Sequence, residues 1–345
     1  MTTAATPFRQ ATLIRRVPWI LAAAVLAGCG GGSEGKKEAP IHVGLVFDVG
    51  GRGDKSFNDS AYTGLLRAER ELGASFEYHE PGEGSDREAA LRLMATGDAD
   101  LVFGVGFLFT DDVVTVSREF PEKRFACIDY AVKDDEPLPA NLAGIKFREE
   151  EASFLAGALA AMRSTSGVVG FIGGMEGALI KKFEAGYRAG AMHVNPDVRV
   201  LVHYAGVTDV AFKNPGMGKE LAIAQYDAGA DVIFHASGAT GLGVFEAALQ
   251  RDRLAIGVDS DQWKEAPGHV LTSVLKRVDV VVFEVVRRTL AGDFPQGIQV
   301  LGLAEGAVGI VIDENNRQWI GSETEARLRG LERQIVEGSI RVPAS

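Results

Sequence analysis

The chain has 345 residues, 46% of them hydrophobic, and a formal charge of -11. That length suits one large domain or two lobes of ordinary size. The acidity excludes the basic surface that nucleic-acid phosphates require.

Arg15 and Arg16 precede a short apolar run, 17–27, that closes on Leu26-Ala27-Gly28-Cys29. A positive start, a short apolar segment and small residues before a cleavage point predict a secretory signal over 1–28. The run is too short to span a bilayer, which takes about 20 apolar residues. Leu-Ala-Gly-Cys resembles the lipobox of bacterial lipoproteins. That resemblance implies cleavage before Cys29 and a lipid anchor on it; the alternative is a buried N-terminal helix with a chance cysteine. The Gly/Ser stretch at 30–35 predicts a flexible tether across 29–39. The leader carries Arg9, Arg15 and Arg16 and no acid, so the body is more acidic still. With Cys29 lipidated, Cys127 has no partner for a disulfide. It lies in an apolar run and reads as a buried thiol, not a nucleophile.

From residue 40 onward, short apolar runs alternate with amphipathic stretches. Runs at 43–47, 101–103, 125–128, 168–172, 200–202, 232–234 and 254–256 predict strands. Their continuous apolar character fits a parallel sheet covered on both faces. Helical patterns fall at 60–72, 86–96, 110–119, 149–163, 178–194, 218–228 and 241–250. This alternation predicts a doubly wound α/β fold. The series divides near 145–150, giving an N-terminal lobe over 40–147 and a C-terminal lobe over 148–273. The remainder is too short for a third domain. A segment near 274–300 is expected to return to the first lobe and one near 301–345 to the second. Ligands in such sheets bind beyond the carboxyl ends of the strands.

Those ends are polar. Asp48 and the stretch 50–59 follow the first strand, Asp129 follows the run at 125–128, and a loop carrying Phe212 follows the run at 200–204. Gly238 lies just past the run at 232–234, Asp259 ends the next one, and Lys276 follows the run at 270–275. Carboxylates accept hydrogen bonds from hydroxyl or ring N–H groups. Aromatic rings stack on a planar base. The set suits a neutral ligand with hydroxyls and a flat ring; a phosphorylated one would meet like charge.

The motif D-V-G-G-R-G-D-K-S-F-N at 48–58 resembles the signature of the basic membrane protein, or PnrA-like, family. Further matches are F-K-N-P-G-M-G-K at 212–219, G-V-D-S-D-Q at 257–262 and T-S-V-L-K-R-V-D at 272–279. The resemblance covers nearly the whole chain after the leader. Members are purine nucleoside-binding lipoproteins that serve ABC importers. The resemblance therefore implies a type I periplasmic-binding-protein fold, with two lobes, a hinge and a nucleoside between them. It implies that Phe57 and Phe212 sandwich the base and Asp48 bonds the base edge. Asp129, Asp259, Lys276 and the backbone of Gly238 are then expected to hold the ribose. Val49 departs from the polar residue some members carry there, which bears on base preference. The implied partners are a nucleoside, an ABC permease and a membrane reached through the lipid; no cofactor is implied.

Plainer readings stand beside these. The glycines at 50–53 lack the Gly-Lys-Ser/Thr ending of a phosphate loop and fit a sharp turn. Asp54 and Asn58 fit a helix cap, and Phe57 a hydrophobic staple. His42, His79, His193, His203, His235 and His269 show no metal-ligand spacing and read as structural or surface residues. Glu149-Glu150-Glu151 reads as a solvated acidic helix start. The function alternatives are a sugar or signalling receptor on the same fold, a surface lipoprotein selected for adhesion, and a nucleoside hydrolase using the cleft carboxylates.

Overall fold

The computed structural model describes residues 40–80, 82, 86–131 and 137–345. The expected signal, Cys29 and the tether lie outside the described residues.

The first lobe takes the chain through β1 (His42–Val46), α1 (Phe57–Leu72), β2 (Ser75–His79), α2 (Arg87–Thr96), β3 (Leu101–Val105), α3 (Thr110–Glu119), β4 (Arg124–Ile128) and β5 (Leu142–Phe147). After a single residue, α4 (Glu149–Arg163) opens the second lobe. There follow β6 (Val168–Met175), α5 (Ala178–Val194), β7 (Arg199–Gly206), α6 (Pro215–Asp227), β8 (Val232–Ala236), α7 (Gly241–Arg251), β9 (Leu254–Asp259) and β10 (Val270–Lys276). The chain then returns as α8 (Val278–Leu290), which packs on α1, and β11 (Gly297–Leu301), which pairs in parallel with β5. It crosses again to β12 (Val308–Ile310), antiparallel to β10, and α9 (Arg317–Val336), which packs on α4.

The two six-stranded sheets run β2-β1-β3-β4-β5-β11 and β7-β6-β8-β9-β10-β12. Among the described residues, β12 supplies the antiparallel pairing in an otherwise parallel architecture. The expected doubly wound α/β fold with two lobes is therefore present. Central strands such as β3 and β8 are buried along their whole length, because helices cover both faces. Edge strands such as β2 and β11 are half exposed.

In both sheets the second strand in sequence sits at the edge, so strand order reverses beside the first strand. Such a switch point opens a crevice at the strand carboxyl ends. The crevices of the two lobes face each other. Three chain crossings join them, after β5, after β10 and after β11.

Candidate functional site

A cleft of about 520 Å³ lies between the strand ends of the two lobes. Asp48, Phe57, Asp129, Phe212, Gly238, Asp259 and Lys276 all line it. The first lobe contributes three of them. Asp48 comes just after β1, Phe57 opens α1 and Asp129 follows β4. From the second lobe, Phe212 ends the short helical turn Asp209–Phe212, Gly238 follows β8, and Asp259 and Lys276 end β9 and β10.

Lys276 is the cation of the site and is 3% exposed. Its ammonium donates to Asp129 Oδ2 at 2.6 Å across the lobes and lies 4.6 Å from the centre of the Phe57 ring. Burial alone would lower the pKa of such a lysine. Asp129, Asp259 and Glu149 together outweigh it and raise the value, so the lysine stays charged. Asp129 Oδ1 has no hydrogen-bond partner among the described residues. Asp259 accepts from the Ser56 hydroxyl through Oδ2. Burial pushes Asp259 up to about 6, against the pull of Lys276 and Ser56.

Asp48 also lines the cleft. Its Oδ1 accepts from the Val49 N–H at 2.8 Å, and its own N–H donates to Asn58 Oδ1 at 3.0 Å. Burial pushes it up to about 7, opposed by the Val49 N–H and the charge of Arg87. Gly106 makes room for it. That residue has φ 114, and a Cβ there would run into the Asp48 carboxylate.

Asp54 and Asn58 also line the cleft, but their polar atoms are engaged in the protein. Asp54 accepts from the N–H groups of Ser56, Asn58 and Asp59 and from the Asn58 side chain. Asp54 thereby satisfies first-turn N–H groups of α1 from two residues before the N-cap, Ser56, whereas Asn58 is no cap: it lies within the first turn, and its Oδ1 accepts from the Asp48 N–H. Phe57 is only partly buried and borders the cleft. Phe212 packs so closely on β6 that a Cβ on Gly174 would strike its ring.

Sequence reasoning did not find Phe107, Leu179, Ile180 or Phe183, which also line the cleft. Phe107 lies two residues past β3 and meets Phe212 across the lobes, edge to face, with ring centres 6.5 Å apart. Its position past a strand end was the available signal. The run Gly106-Phe107-Leu108-Phe109 hid it, since it reads as more core.

The structure bears on three further expectations. Cys127 is buried, and burial pushes its thiol well above the ordinary range, as befits an inert core residue. Glu149 and Glu150 do not form a solvated helix start. They are 1% and 9% exposed, because α5 packs over the first turn of α4. His235 is buried beside Gln262 Oε1 at 3.1 Å, and burial lowers it to about 4.

The lobes touch around the cleft. The Lys55 carbonyl accepts from Gln262 Nε2 at 3.0 Å, and the Ser56 carbonyl from Ser260 Oγ at 3.4 Å. Arg87 lies 3.9 Å from Asp209 across the opening. The enclosed surface offers acceptors at Asp48, Asp129 and Asp259, a donor at Lys276 and a wall of aromatic rings. Such a set binds by hydrogen bonds and stacking.

Residues 41–345 match the family model described as ABC transporter substrate-binding protein PnrA-like. The chain is 32% identical to the ABC transporter nucleoside-binding protein BmpA of Lactococcus lactis subsp. cremoris, covering 93% of this chain and 95% of that one. It is 35% identical to the CD4+ T-cell-stimulating antigen of Listeria innocua, over 94% of this chain and 96% of that one. Among solved structures it is similar to an ABC transporter system solute-binding protein from Aeropyrum pernix K1. The identity there is 30% and the TM-score 0.81, over 89% of this chain and 94% of that one. Sequence motifs, fold and comparisons agree, and the chain belongs to the basic membrane protein, PnrA-like family of ABC transporter substrate-binding proteins.

Proposed function

We propose that this protein is a lipid-anchored extracytoplasmic receptor that captures purine nucleosides between its lobes and delivers them to an ABC importer. One observation carries the reading: Asp129, Asp259 and Lys276 converge in the same cleft as Phe57 and Phe212. Two carboxylates and an ammonium match vicinal ribose hydroxyls, which both donate and accept. The phenylalanine rings match a flat base, and Asp48 supplies a hydrogen-bonding edge to it. The Gly238 backbone completes the ribose side. A nucleoside is neutral and adds no charge to a carboxylate-rich cleft. The nucleoside-binding name of the Lactococcus relative points the same way.

Capture works by hinge closure at the three crossings. The closed pair of lobes then presents one composite surface to the permease. The lipobox-like sequence ending at Cys29 supports anchoring outside the cytoplasmic membrane.

Calorimetric titration of the body after the tether, unfolded and refolded to remove carried-over ligand, tests the reading. The panel is adenosine, guanosine, inosine, cytidine and ribose. Saturable one-to-one binding of purine nucleosides, with ribose silent, is the expected result. Binding of ribose alone, or of nothing by folded protein, rejects it. Release of hypoxanthine from inosine during the titration would instead establish a hydrolase.

A further inference from the structure

Glu149 is the first residue of α4, immediately past the crossing from β5. Its Oε2 accepts from Lys182 Nζ of α5 at 2.8 Å. The same ammonium donates to the carbonyl of Phe147, the last residue of β5, at 2.6 Å, and lies 3.7 Å from Glu150 Oε2. Lys182 therefore ties the end of the first sheet to the start of the second lobe. The helices approach closely enough for this because Lys182, Gly186 and Gly190 share one face of α5. A Cβ on Gly186 or Gly190 would strike the backbone of Glu150 or Phe154 in α4.

The other oxygen, Glu149 Oε1, faces the cleft side, 3.9 Å from Lys276 Nζ. It has no hydrogen-bond partner among the described residues. Lys276 thus lies between two buried carboxylates, one in contact at 2.6 Å and one a step behind. Asp129 and Asp259 already act on this ammonium from the cleft, and the Asp129 contact alone would draw its N–H groups to one side. Glu149, a third carboxylate outside the cleft lining, opposes that pull and leaves N–H directions available to a ligand.

We propose that Glu149, held by Lys182, is a positioning residue for Lys276, setting how strongly the cleft recognises ribose hydroxyls. The inference rests on the nucleoside reading above and extends it to two residues outside the cleft lining. It also places a determinant of ligand choice at the first lobe crossing.

The experiment, run at pH 8 so that the Glu149 carboxyl, pushed up to about 7 by burial, is ionised, compares inosine with dideoxyinosine, which keeps the base but lacks the two vicinal hydroxyls. Glu149→Gln keeps the shape and an acceptor for Lys182 and removes the charge. It is expected to weaken inosine binding about tenfold, the scale of one charge-assisted hydrogen bond, and to leave dideoxyinosine binding unchanged. Equal losses for both ligands, or none for either, overturn the proposal, since a merely structural glutamate would not select between them. Lys182→Gln is expected to reproduce the selective loss and Lys182→Arg to restore it, which keeps the test decisive where Glu149→Gln does not fold. Wild-type protein that binds neither ligand overturns the nucleoside reading itself, and the inference with it.

Discussion

Asp129 and Asp259 hold corresponding places in the two lobes. Each lies at the carboxyl end of its lobe's fourth strand, Asp129 directly after β4 and Asp259 as the last residue of β9. Each adopts a left-handed backbone, with φ 62 and φ 66. Such a conformation is uncommon for a residue with a side chain, though aspartate tolerates it better than most. It costs on the order of 1 kcal/mol or more and persists where the surroundings enforce it, often at functional sites. Both carboxylates line the cleft with Lys276, and both charges act on its ammonium.

The pair with Lys276 makes the first prediction. Asp129→Asn removes the contacting charge from a buried ammonium. Breaking one side of a buried ion pair costs about 3–5 kcal/mol, and Glu149 at 3.9 Å tempers the loss toward the lower end. Denaturant unfolding should show destabilisation of about 3 kcal/mol. A loss below about 1 kcal/mol would mean that Lys276 finds another partner.

Phe57 and Phe212 are only partly buried and pack at the margin of the main core, so truncating them removes less packing than truncating a fully buried ring. Stacking on a base is worth about 1–3 kcal/mol per ring face. Phe57→Ala and Phe212→Ala should each weaken purine nucleoside binding by roughly tenfold to a hundredfold. The melting temperature should move by only a few degrees. Titration and thermal melting of the same samples separate the two effects. Full affinity in either variant removes that ring from the base site.

Much of this site was legible because parallel sheets expose their strand ends. Asp48, Asp129, Asp259 and Lys276 each interrupt or end an apolar run, and in a doubly wound sheet such residues face the crevice. Phe57 and Phe212 came from motif resemblance, since a lone phenylalanine beside a helix start reads equally well as packing. Phe107 and Phe183 were not legible. The first is embedded in an apolar stretch, and the second lies on the buried face of α5. Glu149 was misread because a glutamate run at a helix start is ordinarily solvated. Only the packing of α5 over that turn, permitted by glycines a helical pattern does not highlight, buries it. The edge strands β2 and β11 have only half-buried and exposed positions and so lack the continuous apolar runs that marked the central strands.

Gly106 supplies a test of the base end. Its φ of 114 is strained for any residue with a Cβ, and the added methyl would meet the Asp48 carboxylate. Gly106→Ala should cost more than about 1 kcal/mol of stability from the backbone alone. It should also weaken nucleoside binding by displacing Asp48. Affinity equal to wild type would show that Asp48 does not contact the ligand.

The buried acids predict how stability depends on pH. Asp48 rises from 3.8 to about 7, Glu149 from 4.5 to about 7 and Asp259 from 3.8 to about 6, each chiefly through burial. Over that range the folded state holds protons that the unfolded chain has already released. The stability derivative with pH is then negative. Their contribution is greatest below the unfolded values and is lost as pH rises through 6 to 7. His235 works in the opposite direction: lowered from 6.5 to about 4 by burial, it costs stability as pH falls below 6.5. The two effects oppose each other between pH 4 and 6.5, whereas above 6.5 the carboxyls act alone. Melting temperature of the ligand-free protein should therefore fall from pH 6.5 to 8. Asp48→Asn, which cannot ionise, should flatten that decline relative to wild type. A melting temperature that rises over the same interval would show that Asp48 and Glu149 are already ionised in the folded protein at pH 6.5.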